Sequence, residues 1–280
     1  MTRPEKARVE LRAIDELGEF HACLRLQQET WGKTFTDQVP PSVLMIAQRT
    51  GGLVLGAFVD GSLVGFVWGI SGWNGPEKIH WSDMLAVKKA FRGQGIGWQL
   101  KLKQRQILKR RGVRKIYWTF DPLQTLNAHF NLMKLGVVVH EYRPNLYGST
   151  HSPLHAGLDT DRFVATWDLQ QVLRKTRRTQ IPIDRTRVIN PVSPGKGAGL
   201  VPQRPRLGLK GGGEPLYLEV TRNLSQLRTQ NLDLARRWQL CIRAACLHYL
   251  RRGFVITGFA EGTVEGRAGA FYVLEKPSTA

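Results

Sequence analysis

Residues 91–100 read FRGQGIGWQL, and the reading of this decapeptide decides the reading of the chain. Glycines stand at 93, 95 and 97 behind Arg92. The apolar run Met84-Leu85-Ala86-Val87 precedes them, and a proline-free stretch rich in lysine and arginine follows. A strand that enters a glycine-rich turn and leaves it as a helix builds an anion cradle. The first amides of a helix lack partners within it, the helix dipole is positive there, and glycine permits close backbone approach and positive φ. Two phosphate motifs fail on the residues present. A dinucleotide-type GxGxxG needs glycine at 98, where Trp98 stands, and GxxxxGK[ST] occurs nowhere, Gly195-Lys196-Gly197-Ala198-Gly199 included. The turn spells R-x-x-G-x-G over Arg92, Gly95 and Gly97. The alternative is a turn that solves only a steric problem.

Outward from the turn, Ile79–Val87 reads as a strand and residues 97–111 as a helix with Leu100, Ile107 and Leu108 buried, stopped by Gly112. On the N-terminal side the pattern predicts a strand at Val9–Ala13, a helix from Asp15 to Trp31 and a helix opened by Pro40-Pro41 and closed near Gly51-Gly52. A hairpin of Leu53–Val59 and Leu63–Ser71 turns on Asp60-Gly61, and residues 72–78 read as a loop. On the C-terminal side come a strand at Lys115–Phe120, a helix at Leu123–Leu135, and strands at Val137–Tyr142 and Phe163–Leu169. This is a mixed α/β domain closing near residue 170. Residues 181–215 hold six prolines and seven glycines and read as an irregular arm or linker. Order resumes with a strand at Leu216–Val220, a helix at Leu232–Arg252 and strands at Phe254–Phe259 and Phe271–Leu274. This β-α-β-β order echoes that of residues 115–169. The expected division is 1–170, a basic arm 171–215, and a small α/β extension 216–280.

The net charge is +19, and residues 171–280 carry 19 basic and 7 acidic side chains of the 41 and 22 in the whole chain. Such an excess points to polyanionic partners without choosing among them. Cys23, Cys241 and Cys246 form no CxxC pair, which argues against a disulfide framework and suits a reducing cytoplasm. The charged opening MTRPEKARVELRAIDE has no signal-peptide pattern, and Leu53–Ile70 reads as two strands rather than a membrane span.

Arg92, Gly95 and Gly97, with a strand before and a helix after, resemble the GNAT superfamily of acyl-CoA-dependent N-acyltransferases. A second patch, Ala128, Leu132, Lys134, Leu135 and Gly136, is similar to that family's A-x-x-L-Y-x-K-x-G segment. The resemblance covers roughly residues 9–170. It implies a central mixed, largely antiparallel sheet flanked by helices, with acetyl-CoA or another acyl-CoA as co-substrate. It also implies that the backbone amides of Gln94, Gly95, Ile96, Gly97 and Trp98 face the pyrophosphate, that Met84 to Val87, with Leu85, Ala86 and Val87 foremost, line the pantetheine arm, that Arg92 closes the loop, and that Gly93 and Asn127 join the cofactor-binding set. Lys88 and Lys89 could meet phosphates of the nucleotide end, whereas Lys101 reads better as part of a solvated basic face. The sequence departs from the family where a tyrosine commonly serves as general acid: Leu132, or Met133 one residue on, stands there.

Amine acylation needs a base within reach of the attacking amine. Asp83 and His80 on the strand before the turn, Asp121 at the end of the next strand, and Glu141 are the candidates, with Asp83 and Asp121 ranked ahead; for Asp121 an N-capping role is an equal alternative. His80 reads more readily as a satisfied strand residue than as a base, and His129 as a solvent-facing one. His151 and His155 could suggest a metal pair, but Pro153 lies between them and no third ligand is evident, so no metal is expected. Residues 101–115 hold eight lysines and arginines and no acid, yet residues 171–213 contain no aromatic to stack a base.

Trp118-Thr119-Phe120-Asp121-Pro122, Lys134-Leu135-Gly136 and Ser152-Pro153-Leu154-His155-Ala156-Gly157 further resemble bacterial GNAT-like proteins with a C-terminal extension, some of which use succinyl-CoA on amino acids. The resulting expectation is a cytoplasmic N-acyltransferase acting on a small amine, with no membrane partner and with a homodimer left open. Two alternatives stand beside it: a non-catalytic acyl-CoA-binding module, and a protein- or ribosome-directed acyltransferase with nucleic-acid contact.

Overall fold

The computed structural model describes residues 8–148, 157–172, 180–195 and 199–277. They divide into two units. Of the described residues, those up to Trp118 and Asp168–Gln171 form unit 1; those from Thr119 to 148, Gly157–Trp167 and those from Val172 onward form unit 2.

Unit 1 runs β1 (Glu10–Ala13), α1 (Leu17–Trp31), α2 (Pro41–Arg49), β2 (Leu53–Val59), β3 (Ser62–Asn74), β4 (Glu77–Val87), a 3₁₀ turn at Lys89–Phe91, α3 (Ile96–Arg110) and β5 (Lys115–Phe120), whose last two residues belong to unit 2. Its sheet order is β1-β2-β3-β4-β5, antiparallel except for the parallel pair β4/β5. Asp60 and Gly61 take φ of 47° and 73°, the left-handed pair that a two-residue hairpin demands. The stretch 72–78, expected as a loop, is instead the far end of a hairpin. Pairing continues from Gly72↔Ile79 to Asn74↔Glu77, because ladder hydrogen bonds need backbone and not side chains. Ile14, Phe20, Leu26, Leu44, Phe58 and Phe66 lie at the centre of the core between this sheet and α1–α2.

In unit 2, α4 (Thr125–Ala128) passes directly into a π-helical turn, His129–Lys134, closed by Leu135 N–H donating to the Phe130 carbonyl at 3.1 Å. The continuous helix expected over 123–135 is therefore a wide-wound one. The remaining elements are β6 (Val138–Arg143), β7 (Arg162–Asp168), β8 (Gln180–Pro182), a 3₁₀ turn at Arg185–Arg187, β9 (Val192–Pro194), β10 (Leu200–Pro202), β11 (Leu216–Val220), α5 (Leu224–Gln230), α6 (Leu232–Arg251), β12 (Val255–Val264) and β13 (Arg267–Glu275). The sheet order is β7-β6-β12-β13-β11, with β8 added in parallel to β12 and with β9 and β10 forming a separate hairpin.

The described part of 181–215 is built into unit 2. Ile183, Val188 and Ile189 are buried, and Arg187 donates to the carbonyls of Pro215, Lys210, Gly211 and Glu214. Phe163 centres the aromatic core, edge-on to Phe120, Tyr142 and Tyr272 at 5.5, 5.6 and 5.1 Å between centroids. Asp161, 2% exposed, accepts from Tyr142 Oη at 2.5 Å, from the Asn145 amide at 2.9 Å, and from Arg243 Nε and Nη2 at 2.9 and 2.7 Å, which ties the β6–β7 region to α6. The whole is a mixed α/β fold with a largely antiparallel sheet, flanking helices and a C-terminal α/β extension.

Candidate active site

The glycine turn becomes the N-terminus of α3. Gly95 is the N-cap residue at φ 83°, and Gly93 takes φ 79°. Apart from the chain neighbours, no heavy atom of the described residues lies within 4 Å of where a Cβ would stand on either, so both positions face open space. No side chain caps the helix, and the first amide with a carbonyl partner is that of Gln99, which donates to Gly95 at 3.0 Å. The amides of Ile96, Gly97 and Trp98 are therefore left pointing out of the helix end. Arg92 Nε donates to the Val87 carbonyl at 2.9 Å, and Gln94 Nε2 to the Ala90 carbonyl at 3.2 Å, so the turn is braced by its own side chains. Ile96 is buried, and Trp98 is 40% exposed.

The β4/β5 ladder covers Ile79–Trp81 against Lys115–Tyr117 and stops there; among the described residues of unit 1, β4 from Ser82 onward has no ladder partner on that edge. Its other edge stays paired with β3, Met84 to Trp68 through Val87 to Gly65. Leu85, Ala86 and Val87 lie on this stretch. The Ala86 side chain belongs to the core, so what that residue presents is backbone. Outward-pointing amides at a helix N-terminus, preceded by a strand with a free edge, offer hydrogen-bond donors of the kind that a phosphate and an amide-bearing chain accept.

Asp83 sits at a β-bulge. Ser82 pairs with Gly69 and Met84 with Trp68, which leaves Asp83 without a partner on β3. Bulges re-aim side chains, and Asp83 is exposed between two buried neighbours. Gly69 makes the bulge sterically feasible: a Cβ there would collide with the Trp81 carbonyl and with Ser82 Cα. Although Asp83 is exposed as a residue, the protein around its carboxyl withdraws enough water to raise its pKa, and Asp37 adds to the rise.

Beneath the bulge lies a buried polar chain. Lys101, expected on a solvated face, is 3% exposed. Its Nζ donates to Ser82 Oγ at 2.8 Å and to Gln104 Oε1 at 3.3 Å, and stands 3.8 Å from the Trp118 ring centroid. Burial lowers its pKa to about 7. His80, wholly buried, meets Ser71 Oγ at 3.0 Å and Gln104 Nε2 at 3.3 Å, and burial, then the Lys101 charge, lower its pKa to about 3. His80 is a satisfied, neutral strand residue. The signal for Lys101 was its spacing: 101, 104 and 108 fall on one helical stripe, and the last is a buried leucine.

Unit 2 holds the other candidates. Asp121 is half-buried and accepts the Leu123 amide at 2.8 Å, pinning the turn before α4; burial raises its pKa against the opposing pull of that amide and of Arg162. Glu141 is ion-paired with Arg143. Asn127 is exposed on α4. Leu132 is buried, and the Met133 sulfur accepts the Phe259 amide at 3.3 Å, so neither donates a proton. His151 and His155 lie outside the described residues. Among the described residues no group of three or more His, Cys, Asp or Glu could hold a metal ion, and no helix is long and apolar enough to cross a membrane.

Residues 20–136 match the model of the acetyltransferase (GNAT) family. No curated protein sequence matches the chain. Solved structures similar to it include the ribosomal-protein-S18-alanine N-acetyltransferase from Escherichia coli, at 14% identity and TM-score 0.47, covering 61% of this chain and 99% of that one. Aminoglycoside 6′-acetyltransferase type Ii is similar at 19% identity and TM-score 0.47, with 59% and 99% covered. The PaiA N-acetyltransferase from Thermoplasma acidophilum in complex with coenzyme A is similar at 18% identity and TM-score 0.43, with 57% and 99% covered.

Proposed function

With residues 20–136 forming an acetyltransferase (GNAT) domain, the domain of acyl-CoA-dependent N-acyltransferases, we propose that the chain moves an acetyl or succinyl group from coenzyme A to the amine of a small molecule such as an amino acid, in a reducing cytoplasm. The observation that carries this reading is the open cradle at Gly93–Trp98 continuing from the free edge of β4. The backbone from Gln94 to Trp98 holds the pyrophosphate, Leu85–Val87 run beside the pantetheine arm, and Lys88 and Lys89 stand near the nucleotide phosphates. Asn127 keeps its place in the cofactor set on the resemblance alone. Residues 1–170 are the proposed acyl-CoA-binding part, and the extension serves the acceptor or assembly. The three cysteines are free and buried, in keeping with a reducing compartment.

Acyl-CoA supplies the activated acyl group. Asp83 is the proposed base, taking, directly or through one water, the proton that the amine loses as it attacks the thioester carbonyl; its raised pKa brings it closer to the working pH. A β4 amide at Leu85–Val87 polarises the acyl carbonyl. Asp121 and Glu141, each already engaged by a neighbour, rank behind Asp83. At Leu132 and Met133 the chain provides no acid, so solvent protonates the departing thiolate. That same gap favours a second reading, an acyl-CoA-binding module without turnover.

The test is a thiol-release assay with acetyl-CoA and succinyl-CoA against a panel of free amino acids, run beside Gly95→Asp. Turnover lost in the variant supports the proposal. Binding of CoA without turnover on any amine turns it to the second reading, and no binding at millimolar CoA sinks both.

A further inference from the structure

Unit 2 contains a strand arrangement that resembles that of β4 and β5 in unit 1. In unit 1 a strand runs parallel to β5 for three residue pairs and then stops. In unit 2, Val188 bridges Tyr217 of β11 in parallel, and the Ile189 amide donates to the Tyr217 carbonyl at 2.8 Å. The Asn190 side chain donates to the Glu219 carbonyl at 2.8 Å and accepts its amide at 2.7 Å. The chain then leaves β11 for the β9–β10 hairpin. After β11 come helix, β12 and β13, as helix, β6 and β7 follow β5. The strand order is mirrored: β13 lies between β12 and β11, and β7 lies beside β6 with Phe120, the last residue of β5, packed on its Phe163. The β-α-β-β echo in the sequence is thus an echo in topology.

Where β11 ends, the second half has a cleft of about 790 Å³, a size suited to a small-molecule ligand. Leu200 from β10 and Leu234 and Trp238 from α6 form its apolar side. The indole N–H of Trp238 is already given to the Leu200 carbonyl at 3.1 Å, so the ring contributes only apolar surface. Two carboxylates reach the cleft and both are engaged. Glu219 is held by Arg267 Nη1 and Nη2 at 2.6 and 2.8 Å, and Asp233 pairs with Arg236 at 3.6 Å. Arg222, just after β11, and Arg237, on α6, also line it; among the described residues neither guanidinium has an acceptor. The charges left unsatisfied are therefore positive, on two separate elements, beside an apolar wall. Guanidinium groups so placed suit a carboxylate or phosphate.

We propose that this cleft binds an amphipathic anion, its apolar body against Leu200, Leu234 and Trp238 and its carboxylate or phosphate head between Arg222 and Arg237. The residues of the cleft all belong to unit 2 and none of them to the acyl-CoA cradle, and the proposal does not depend on acyl transfer.

Calorimetric titration of the full chain with octanoate, octyl phosphate and octanol tests it, in wild type and in Arg222→Gln/Arg237→Gln, with and without saturating CoA. Both arginines are exposed and unpartnered, so the double variant should keep the wild-type melting temperature. The expected result is that at least one anion binds about tenfold or more tighter than octanol, that the double variant weakens it at least about tenfold, and that CoA leaves it unchanged. The preferred anion identifies the head group as carboxylate or phosphate. Binding no tighter than octanol, equal binding by the double variant, displacement by CoA, or no binding at millimolar anion would each overturn the proposal.

Discussion

Replacing Lys101 by methionine should change how stability depends on pH. Lys101 is buried against the Trp118 ring, with Ser82 Oγ and Gln104 Oε1 as acceptors. The indole face and the two acceptors favour the ammonium, but the loss of water outweighs them and lowers the pKa from 10.5 to about 7. The unfolded chain then keeps this proton up to about pH 10.5 and the native chain only up to about pH 7. Between the two values the unfolded state binds more protons, so stability rises with pH across that window and is lowest, for this group, below it. The full span is worth about 5 kcal/mol, and the part between pH 7.5 and 9 about 2 kcal/mol. Lys101→Met removes that slope without stranding its neighbours, because Gln104 Nε2 still donates to Ser82 Oγ at 3.1 Å. Urea unfolding followed by tryptophan fluorescence at pH 7.5, 8.25 and 9 measures it in both proteins. Buried thiols, with Cys23 pushed up to about 12 and Cys241 to about 11, pull stability the other way near pH 9 but do so equally in both. Wild type minus variant should therefore rise by about 2 kcal/mol over this range. A constant difference would mean that the π face and the two acceptors hold the ammonium at its ordinary pKa, and the argument from burial would fail.

Gly95→Asp combines a strained left-handed backbone, φ 83°, with a carboxylate at the anion cradle. The melting shift from CoA at about 100 times its dissociation constant, worth about 2.7 kcal/mol, should vanish; a retained shift would show that the phosphates bind elsewhere. Asp83→Asn should lower kcat by about 10²–10⁴ with CoA binding intact. The wild-type rate should climb with pH through a carboxyl pKa above the ordinary range, since only the ionised form accepts a proton and burial raises that pKa; an unchanged rate or pH profile in the variant would remove Asp83 from the mechanism. Arg243→Ala strips Asp161, 2% exposed, of its only charged hydrogen-bond donor among the described residues. It should cost about 3–5 kcal/mol in urea unfolding, and a loss below about 1 kcal/mol would mean that Tyr142 and the Asn145 amide suffice.

The cradle was legible because its chemistry is written in residue types: glycines where φ is positive, an arginine at a fixed spacing, a strand before and a helix after. The hairpin at Asp60-Gly61 was legible for the same reason. What sequence reading missed is where position overrules type. Lys101 and Gln104 share the buried stripe of α3 with Leu100 and Leu108, but a lysine in a basic run reads as solvated. Residues 181–215 looked irregular because prolines and glycines break periodicity; Ile183, Val188 and Ile189 nonetheless bury themselves, and Arg187 gathers four carbonyls that no regular element satisfies. The bulge that isolates Asp83 has only the faint mark of Gly69, whose need for close approach is visible once β4 is laid against β3.

The net charge of +19 overstates what is free to meet a polyanion. In the basic run 101–115, Lys101 is buried. Arg105 donates to the Leu169 and Gln171 carbonyls and Arg111 to Gly52, while Arg114 and Lys115 both pair with Glu77. In the C-terminal arm Arg185 pairs with Glu265, Arg187 is fixed on carbonyls, and Arg206 donates to the Arg185 carbonyl. A guanidinium held on carbonyls keeps its charge but cannot swing to a phosphate without leaving those oxygens unsatisfied. Nucleic-acid affinity grows with the number of phosphates that mobile cations can neutralise, so these residues contribute less to such binding than their count suggests. The unpartnered arginines at the β11 cleft stand beside apolar surface, which suits a small amphipathic anion better than a hydrated phosphate backbone.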